Sequence, residues 1–152
     1  MPYLATLHLH ALLFWVILLS GLWAVAVVGQ GSLAGTAWGK RERLAGLVFS
    51  SALATQLLIG LALYFQSPAV HQFFAGRSTG TERLIATFFG LMHPLAMVTA
   101  VVLGQVGYSV SKRMRDDRRK YRTAVFCYTA ALAIVLLAVP WPFLTYGRSL
   151  LP

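Results

Sequence analysis

The chain has 152 residues, of which 58% are hydrophobic and only 11% are charged, and its mean hydropathy is +0.69. This composition excludes an ordinary soluble domain, and four apolar runs take up nearly the whole length. We therefore predict an all-α fold in which residues 1–152 form a single domain, an integral membrane up-down four-helix bundle with helices at approximately 4–28, 44–65, 81–111 and 119–139. The short connections leave no room for a soluble catalytic domain, so the protein is expected to act in or at the lipid bilayer.

The positive charge indicates how the bundle lies in the membrane. The formal net charge is +9, and ten of the 13 Lys and Arg residues fall in or beside the connection between helices 1 and 2 or the connection between helices 3 and 4. By the positive-inside rule, both of these connections are predicted to be cytoplasmic, with the N- and C-termini outside. Because the charge follows the connections of a membrane protein, no nucleic-acid binding is expected. The ten residues are Lys40, Arg41, Arg43, Lys112, Arg113, Arg115, Arg118, Arg119, Lys120 and Arg122.

Helix 1 begins with two histidines, His8 and His10. Residues two apart on a helix point about 200° apart, so these two side chains cannot face one centre. The face of His10 continues through small residues such as Gly21, which are typical of helix–helix contacts in membranes. The face of His8 continues through Trp15, and tryptophan favours lipid or the interface. We therefore predict that His10 points inward and that His8 is interfacial.

Helix 2 follows a stretch, residues 29–39, that is predicted to be a glycine-rich turn. Its one buried-looking amide is Gln56. An amide in a membrane span most often bonds to the backbone of a neighbouring helix, and a hydrogen bond to a histidine or to a quinone is the alternative.

Two short signals mark the connection between helices 2 and 3. Ser67 at an N-cap and Pro68 at the first helical position predict a short helix, which is expected to lie flat at the interface. Thr79 and Glu82 have capping-box spacing and predict the start of helix 3.

Helix 3 contains the dipeptide His93-Pro94 among more than twenty uncharged residues. Because Pro94 has no N–H, the carbonyl of Gly90 loses its helical hydrogen bond, and an irregular helix is expected there. An imidazole in hydrocarbon usually has a partner inside the bundle. One mostly small-residue face is predicted to pack inward, with His93 able to meet His10. This face comprises Ala86, Gly90, His93, Met97, Ala100, Gly104 and Gly107.

Helix 4 carries no histidine and ends at a pair of prolines. The four acidic residues, Glu42, Glu82, Asp116 and Asp117, all fall at predicted helix ends or in loops, so no buried carboxylate is expected. This argues against a proton pump or a cation-coupled carrier.

Two imidazoles from different helices, at similar depth and beside small residues, are suited to a membrane-embedded haem b. His10 and His93 are the expected ligands. Copper is an alternative for the same two histidines, with Met92 or Met97 as a soft ligand. A third possibility is that His93 only bonds a hydroxyl or a carbonyl and ties helices together. The cations that could pair with haem propionates are Arg77, Arg83 and Arg148.

Four stretches spread over nearly the whole chain carry a resemblance: Leu7-His8-Leu9-His10 with Trp15, residues 56–65, His93-Pro94-Leu95, and Pro140-Trp141-Pro142-Phe143. They resemble a family of small four-helix bacterial membrane proteins usually labelled cytochrome b-like. The resemblance implies haem b binding and electron transfer in the bacterial inner (cytoplasmic) membrane. It also implies cofactor-binding roles for His10 and His93, with His8 as a further matching position.

The chain departs from this family pattern at two positions. The family often has a histidine where this chain has Ala54, and an acidic residue where it has Met92. The leading expectation is a haem b protein that exchanges electrons with quinone. The alternative is a non-catalytic accessory subunit of a larger respiratory or photosynthetic complex, in which the histidines are structural or ligate chlorophyll. No enzymatic activity is assigned.

Overall fold

The computed structural model describes residues 2–76 and 78–149, and every regular element within these ranges is a helix. Among the described residues, four segments are long and apolar enough to cross a membrane: α1, α2, the continuous run from α4 through α5, and α6. The predicted all-α fold with four long apolar helices is confirmed. The elements are α1 (Pro2–Ala34), α2 (Lys40–Gln66), α3 (Pro68–Ala75), α4 (Gly80–Thr87), a π-helical turn (Phe88–Met92), α5 (His93–Arg113) and α6 (Asp117–Ala138).

Helix α1 is longer than predicted, because the glycine-rich stretch after Val28 is helical as far as Ala34. Gly31 lies against the ring of Tyr121 on α6, where a Cβ atom would overlap the ring. Glycine therefore allows the end of α1 to pack closely along the start of α6. The helix stops at Gly35, whose positive φ of 63° is typical of a residue that ends a helix.

The third apolar segment is irregular at the position predicted from Pro94. The backbone N–H of His93 donates to the carbonyl of Phe88, five residues earlier, which forms the π turn. A proline ring clashes with a regular α-helical turn, and the wider turn relieves that clash. The carbonyl of Gly90 accepts a hydrogen bond from Tyr64 Oη of α2 at 2.9 Å. A tyrosine hydroxyl thus replaces the donor that Pro94 lacks.

The starts of the two short helices are as predicted, although their capping bonds are not. Ser67 is the N-cap of α3, with Pro68 at its first position, and Thr79 is the N-cap of α4. Neither side chain makes a capping hydrogen bond.

The long helices form two antiparallel hairpins around one core. Helix α1 packs on α2 and α6, and α5 packs on the same two helices. The α1–α2 and α5–α6 connections lie at one end, where the backbone N–H of Trp38 donates to Asp117 Oδ2 at 3.0 Å. The opposite end brings Tyr3 and Arg148 together. The basic connections are therefore at one end of the bundle and the two ends of the described chain at the other.

The core contains the small residues predicted for helix 3, and Ala100, Gly104 and Gly107 of α5 are buried. Glu42 is also buried, with 8% of its surface exposed, although no buried carboxylate was expected. It lies in the first turn of α2, where its Oε2 accepts from the backbone N–H of Gly39 at 2.9 Å. The carboxylate therefore stabilises a helix start and does not lie in the middle of a span.

The chain after α6 turns back over the end of the bundle. The backbone N–H of Arg148 donates to the carbonyl of Pro140 at 3.0 Å, which closes the returning segment. The ring of Tyr146 stacks on Phe88, in the π turn, with ring centres 3.9 Å apart. The segment therefore covers the irregular part of the third apolar helix.

Candidate functional site

The two histidines predicted to face inward lie side by side. His10 is on α1 and His93 begins α5, and their ring centres are 6.3 Å apart with an angle of 67° between the ring planes. These helices are diagonal in the bundle, because each packs on α2 and α6. The pair therefore joins the two hairpins across the interior.

The ring of His93 is fixed by the end of α6. Its Nδ1 lies 2.8 Å from the carbonyl oxygen of Ala138. A carbonyl only accepts, so Nδ1 carries the hydrogen, and in the neutral ring Nε2 holds the lone pair. The last carbonyls of a helix have no partner within it, which makes Ala138 available for this bond. A histidine that ligates a metal through one nitrogen is commonly held in this way through the other.

His10 is held differently, through the amide of Gln56. Gln56 Nε2 donates to the backbone carbonyl of His10 at 2.8 Å. The predicted bond from this amide to the backbone of a neighbouring helix is therefore present. Gln56 Oε1 and His10 Nδ1 are both buried, and neither has a hydrogen-bond partner among the described residues. Unpaired buried polar atoms are uncommon and often mark a bound water, ion or ligand.

Both histidines line a cavity of about 290 Å³ between α1, α2 and α5, which is close to the lower end of the range for small-molecule sites. Most of its lining is aliphatic or aromatic. Gly60 leaves space for the His10 ring, since a Cβ at this position would lie 3.1 Å from His10 Cε1. Leu61 of α2 and Val98 of α5 also line the cavity, although about half of each side chain is exposed. The cavity therefore opens sideways between these two helices.

A second cleft of about 410 Å³ adjoins this cavity. The cleft shares five of its six lining residues with the cavity, among them Arg148, and the sixth is His8. Arg148 Nη1 donates to Tyr3 Oη at 3.2 Å, and the guanidinium lies 4.2 Å from the ring centre of Phe89. A cation thus lies where the cavity and the cleft meet.

The remaining predicted site residues lie elsewhere. His8 is exposed and lines only the second cleft, so it does not join the histidine pair. Arg83 is exposed in the first turns of α4 and lines neither space. Arg77 lies outside the described residues. Of the predicted sulfur ligands, Met97 lines the cavity, whereas Met92 is 56% exposed and does not.

Tyr64 is a site residue that the sequence reasoning missed. It lines the cavity and supports the irregular helix through Gly90. A signal for it was present, because Gln56, Gly60 and Tyr64 are spaced by four residues and so share one face of α2. Ala138 gave no such signal, since its backbone carbonyl and not its side chain makes the contact.

The donor set is compatible with a haem b. His10 and His93 would hold the iron of a haem b through their imidazole nitrogens, which are the usual haem ligands. Their rings lie side by side, with centres 6.3 Å apart, in a cavity with a mostly apolar lining. Within the described part of the chain, no group of three or more His, Cys, Asp and Glu is placed to hold a metal ion. A copper site would therefore consist of the two histidines and Met97.

These features define a class of protein: a small four-helix bundle, apolar enough to lie in a membrane, with a histidine pair in an internal cavity. No protein-family model, curated protein or solved structure matches this chain. The resemblance to the cytochrome b-like family therefore stays a prediction, and the functional assignment depends on the site.

Proposed function

We propose that this protein is a membrane-embedded electron-transfer protein that binds haem b between His10 and His93. The observation that carries the proposal is the pair of imidazoles, 6.3 Å apart on diagonal helices and inside an apolar cavity. Haem b supplies reversible one-electron transfer when it is bound.

Each histidine has a distinct role in holding the cofactor. His93 presents Nε2 because its Nδ1–H is held by the carbonyl of Ala138. His10 is positioned by Gln56 through the backbone and by the space at Gly60. The aliphatic and aromatic lining excludes water from the ligands, and such exclusion is one of the ways in which a protein sets a redox potential.

The proposed setting is the bacterial inner membrane, with the two basic connections in the cytoplasm. The cavity opens between α2 and α5, at Leu61 and Val98, on the apolar surface of the bundle. A quinone dissolved in the bilayer is therefore the proposed electron-transfer partner, because it can approach through this opening without leaving the lipid.

The test is a reduced-minus-oxidised absorption spectrum of the protein purified in mild detergent from its native membrane. We expect a b-type α band that is abolished by His10→Ala and by His93→Ala. The matched control is His71→Ala, since His71 is an exposed histidine on α3 that bonds the carbonyl of Phe65 and does not line the cavity. A well-folded wild-type protein with a flat spectrum would exclude the haem assignment.

A second candidate is a non-catalytic accessory subunit of a larger respiratory or photosynthetic complex. The observation that favours it is the bond from His93 to Ala138, which ties α5 to α6. This candidate predicts stoichiometric co-purification with other membrane subunits and no b-type band. If a histidine ligates chlorophyll instead, the native complex should show a red absorption band that one of the histidine substitutions shifts.

A further inference from the structure

The second cleft brings a cation and several hydrogen-bonding groups to one end of the cavity it adjoins. Its six lining residues include a guanidinium, an imidazole and hydroxyl groups, and all of them except His8 also line the first cavity. The two spaces are therefore continuous, and the groups that can bind an anion lie at the end of the bundle that holds both ends of the described chain.

Arg148 is fixed at the junction of the two spaces. Its backbone N–H bonds to the carbonyl of Pro140, its Nη1 donates to Tyr3 Oη, and its guanidinium lies over the ring of Phe89. A guanidinium has five N–H donors, and the bond to Tyr3, which lies within the described residues, uses one of them. The side chain is thus held in place, with further N–H groups of the kind that bind a carboxylate.

Among the described residues, no Asp or Glu lines either space, and Arg148 is the only Lys or Arg that does. The guanidinium therefore has no acidic partner within these linings, and an anion bound there would be attracted to it. Guanidinium groups are well suited to carboxylates, which they bind through paired hydrogen bonds.

We propose that the second cleft binds the carboxylates of the molecule held between His10 and His93, with Arg148 as their principal contact. This inference rests on the proposed function and adds the chemistry of the ligand, which is a flat apolar molecule with acidic groups along one edge. The propionates of haem b meet this description. A neutral quinone or an esterified pigment does not.

The test compares the binding of haem b with that of haem b dimethyl ester, whose carboxylates are blocked. We expect Arg148→Gln to weaken haem b binding by about tenfold or more and to leave binding of the ester unchanged. Arg148→Lys, which keeps the charge, should restore part of the affinity for haem b. The matched control is Arg83→Gln, which removes an exposed arginine that lines neither space and should affect neither ligand.

The outcomes separate this inference from the proposed function. Equal affinity of wild type and Arg148→Gln for haem b would overturn the carboxylate site and leave the haem assignment standing. So would equal weakening for both ligands, which would indicate a general effect on the fold. If the wild-type protein binds neither ligand, the proposed function fails and the carboxylate site fails with it.

Discussion

At the residue scale, the contacts of Gln56 favour a role at the site over a purely structural one. Its amide nitrogen has a partner in His10, but its Oε1 is buried and unpaired among the described residues, as is His10 Nδ1. Leaving a buried acceptor unsatisfied costs about 1–3 kcal/mol, whereas a typical hydrogen bond contributes about 1 kcal/mol. Gln56 is thus expected to contribute to ligand binding, while its unpaired oxygen lowers the stability of the folded protein.

Replacing Gln56 should therefore separate stability from ligand binding. Gln56→Leu removes one hydrogen bond and one unpaired oxygen, so we expect the unfolding free energy of the cofactor-free protein to be unchanged or raised by about 1 kcal/mol. We expect haem affinity to fall by about tenfold, because Gln56 no longer holds the backbone of His10 in place. Titration of unfolding in mixed micelles and a haem-binding titration measure the two effects.

Gln105 provides the matched control for this experiment. It is also a partly buried amide that bonds across helices, from Nε2 to the carbonyl of Ser50 at 3.0 Å, but it does not line the cavity. Gln105→Leu should lower stability by about 1 kcal/mol and leave haem affinity unchanged. Destabilisation of the same size by both substitutions would show that Gln56 has only a structural role.

At the scale of elements, the third apolar helix depends on a partner from α2. Pro94 cannot donate to the carbonyl of Gly90, and the hydroxyl of Tyr64 takes that place at 2.9 Å. His93 directly precedes the proline and closes the π turn. The contact between Tyr64 and Gly90 therefore supports the helix at the point where the histidine enters the cavity.

This dependence predicts an interaction between substitutions at Tyr64 and Pro94. Tyr64→Phe should lower the unfolding free energy by about 1–3 kcal/mol, because the Gly90 carbonyl loses its donor. In a Pro94→Ala background, the backbone N–H of residue 94 can donate to the Gly90 carbonyl. Tyr64→Phe should then lower the unfolding free energy by clearly less. A double-mutant cycle measures the coupling between the two substitutions. Additive effects would contradict the view that the Tyr64 hydroxyl replaces the N–H that Pro94 lacks.

At the scale of the whole molecule, the fold separates an end with the basic connections from an end with the cavity. The two basic connections meet where Trp38 bonds Asp117, and Tyr3 and Arg148 meet at the other end beside the cavity. Under the proposed orientation, the end of the cavity that Arg148 lines therefore faces away from the cytoplasm. The carboxylate-binding cleft would then lie near the outer surface of the membrane.

Cysteine labelling in intact cells tests this orientation. The native thiol is removed by Cys127→Ala, and single cysteines are introduced by Gln72→Cys on α3 or Arg115→Cys in the α5–α6 connection, both at exposed positions. A membrane-impermeant maleimide should label Gln72→Cys in intact cells and Arg115→Cys only after the membrane is opened. The reverse pattern would place the basic connections outside.

The sequence alone determined the number and type of the long helices and predicted their antiparallel order. Apolar length, the small-residue face of helix 3 and the proline at position 94 are properties of each segment by itself, and so is the start of α3 at Ser67-Pro68. These properties predicted the bundle, the irregular helix and the inward faces of His10 and His93, because none of them depends on a contact between helices. They did not predict the length of α1, because its last turns depend on Gly31 packing against a tyrosine of another helix.

Only the tertiary structure decided which groups complete the site. The pairing of His93 with Ala138, of His10 with Gln56 and of Gly90 with Tyr64 depends on the relative rotation and height of neighbouring helices, which side-chain packing sets. The sequence offered three arginines, Arg77, Arg83 and Arg148, for an acidic ligand. The structure places Arg148 at the cavity because the segment after α6 folds back and bonds to Pro140, a contact that no periodicity within a single helix encodes.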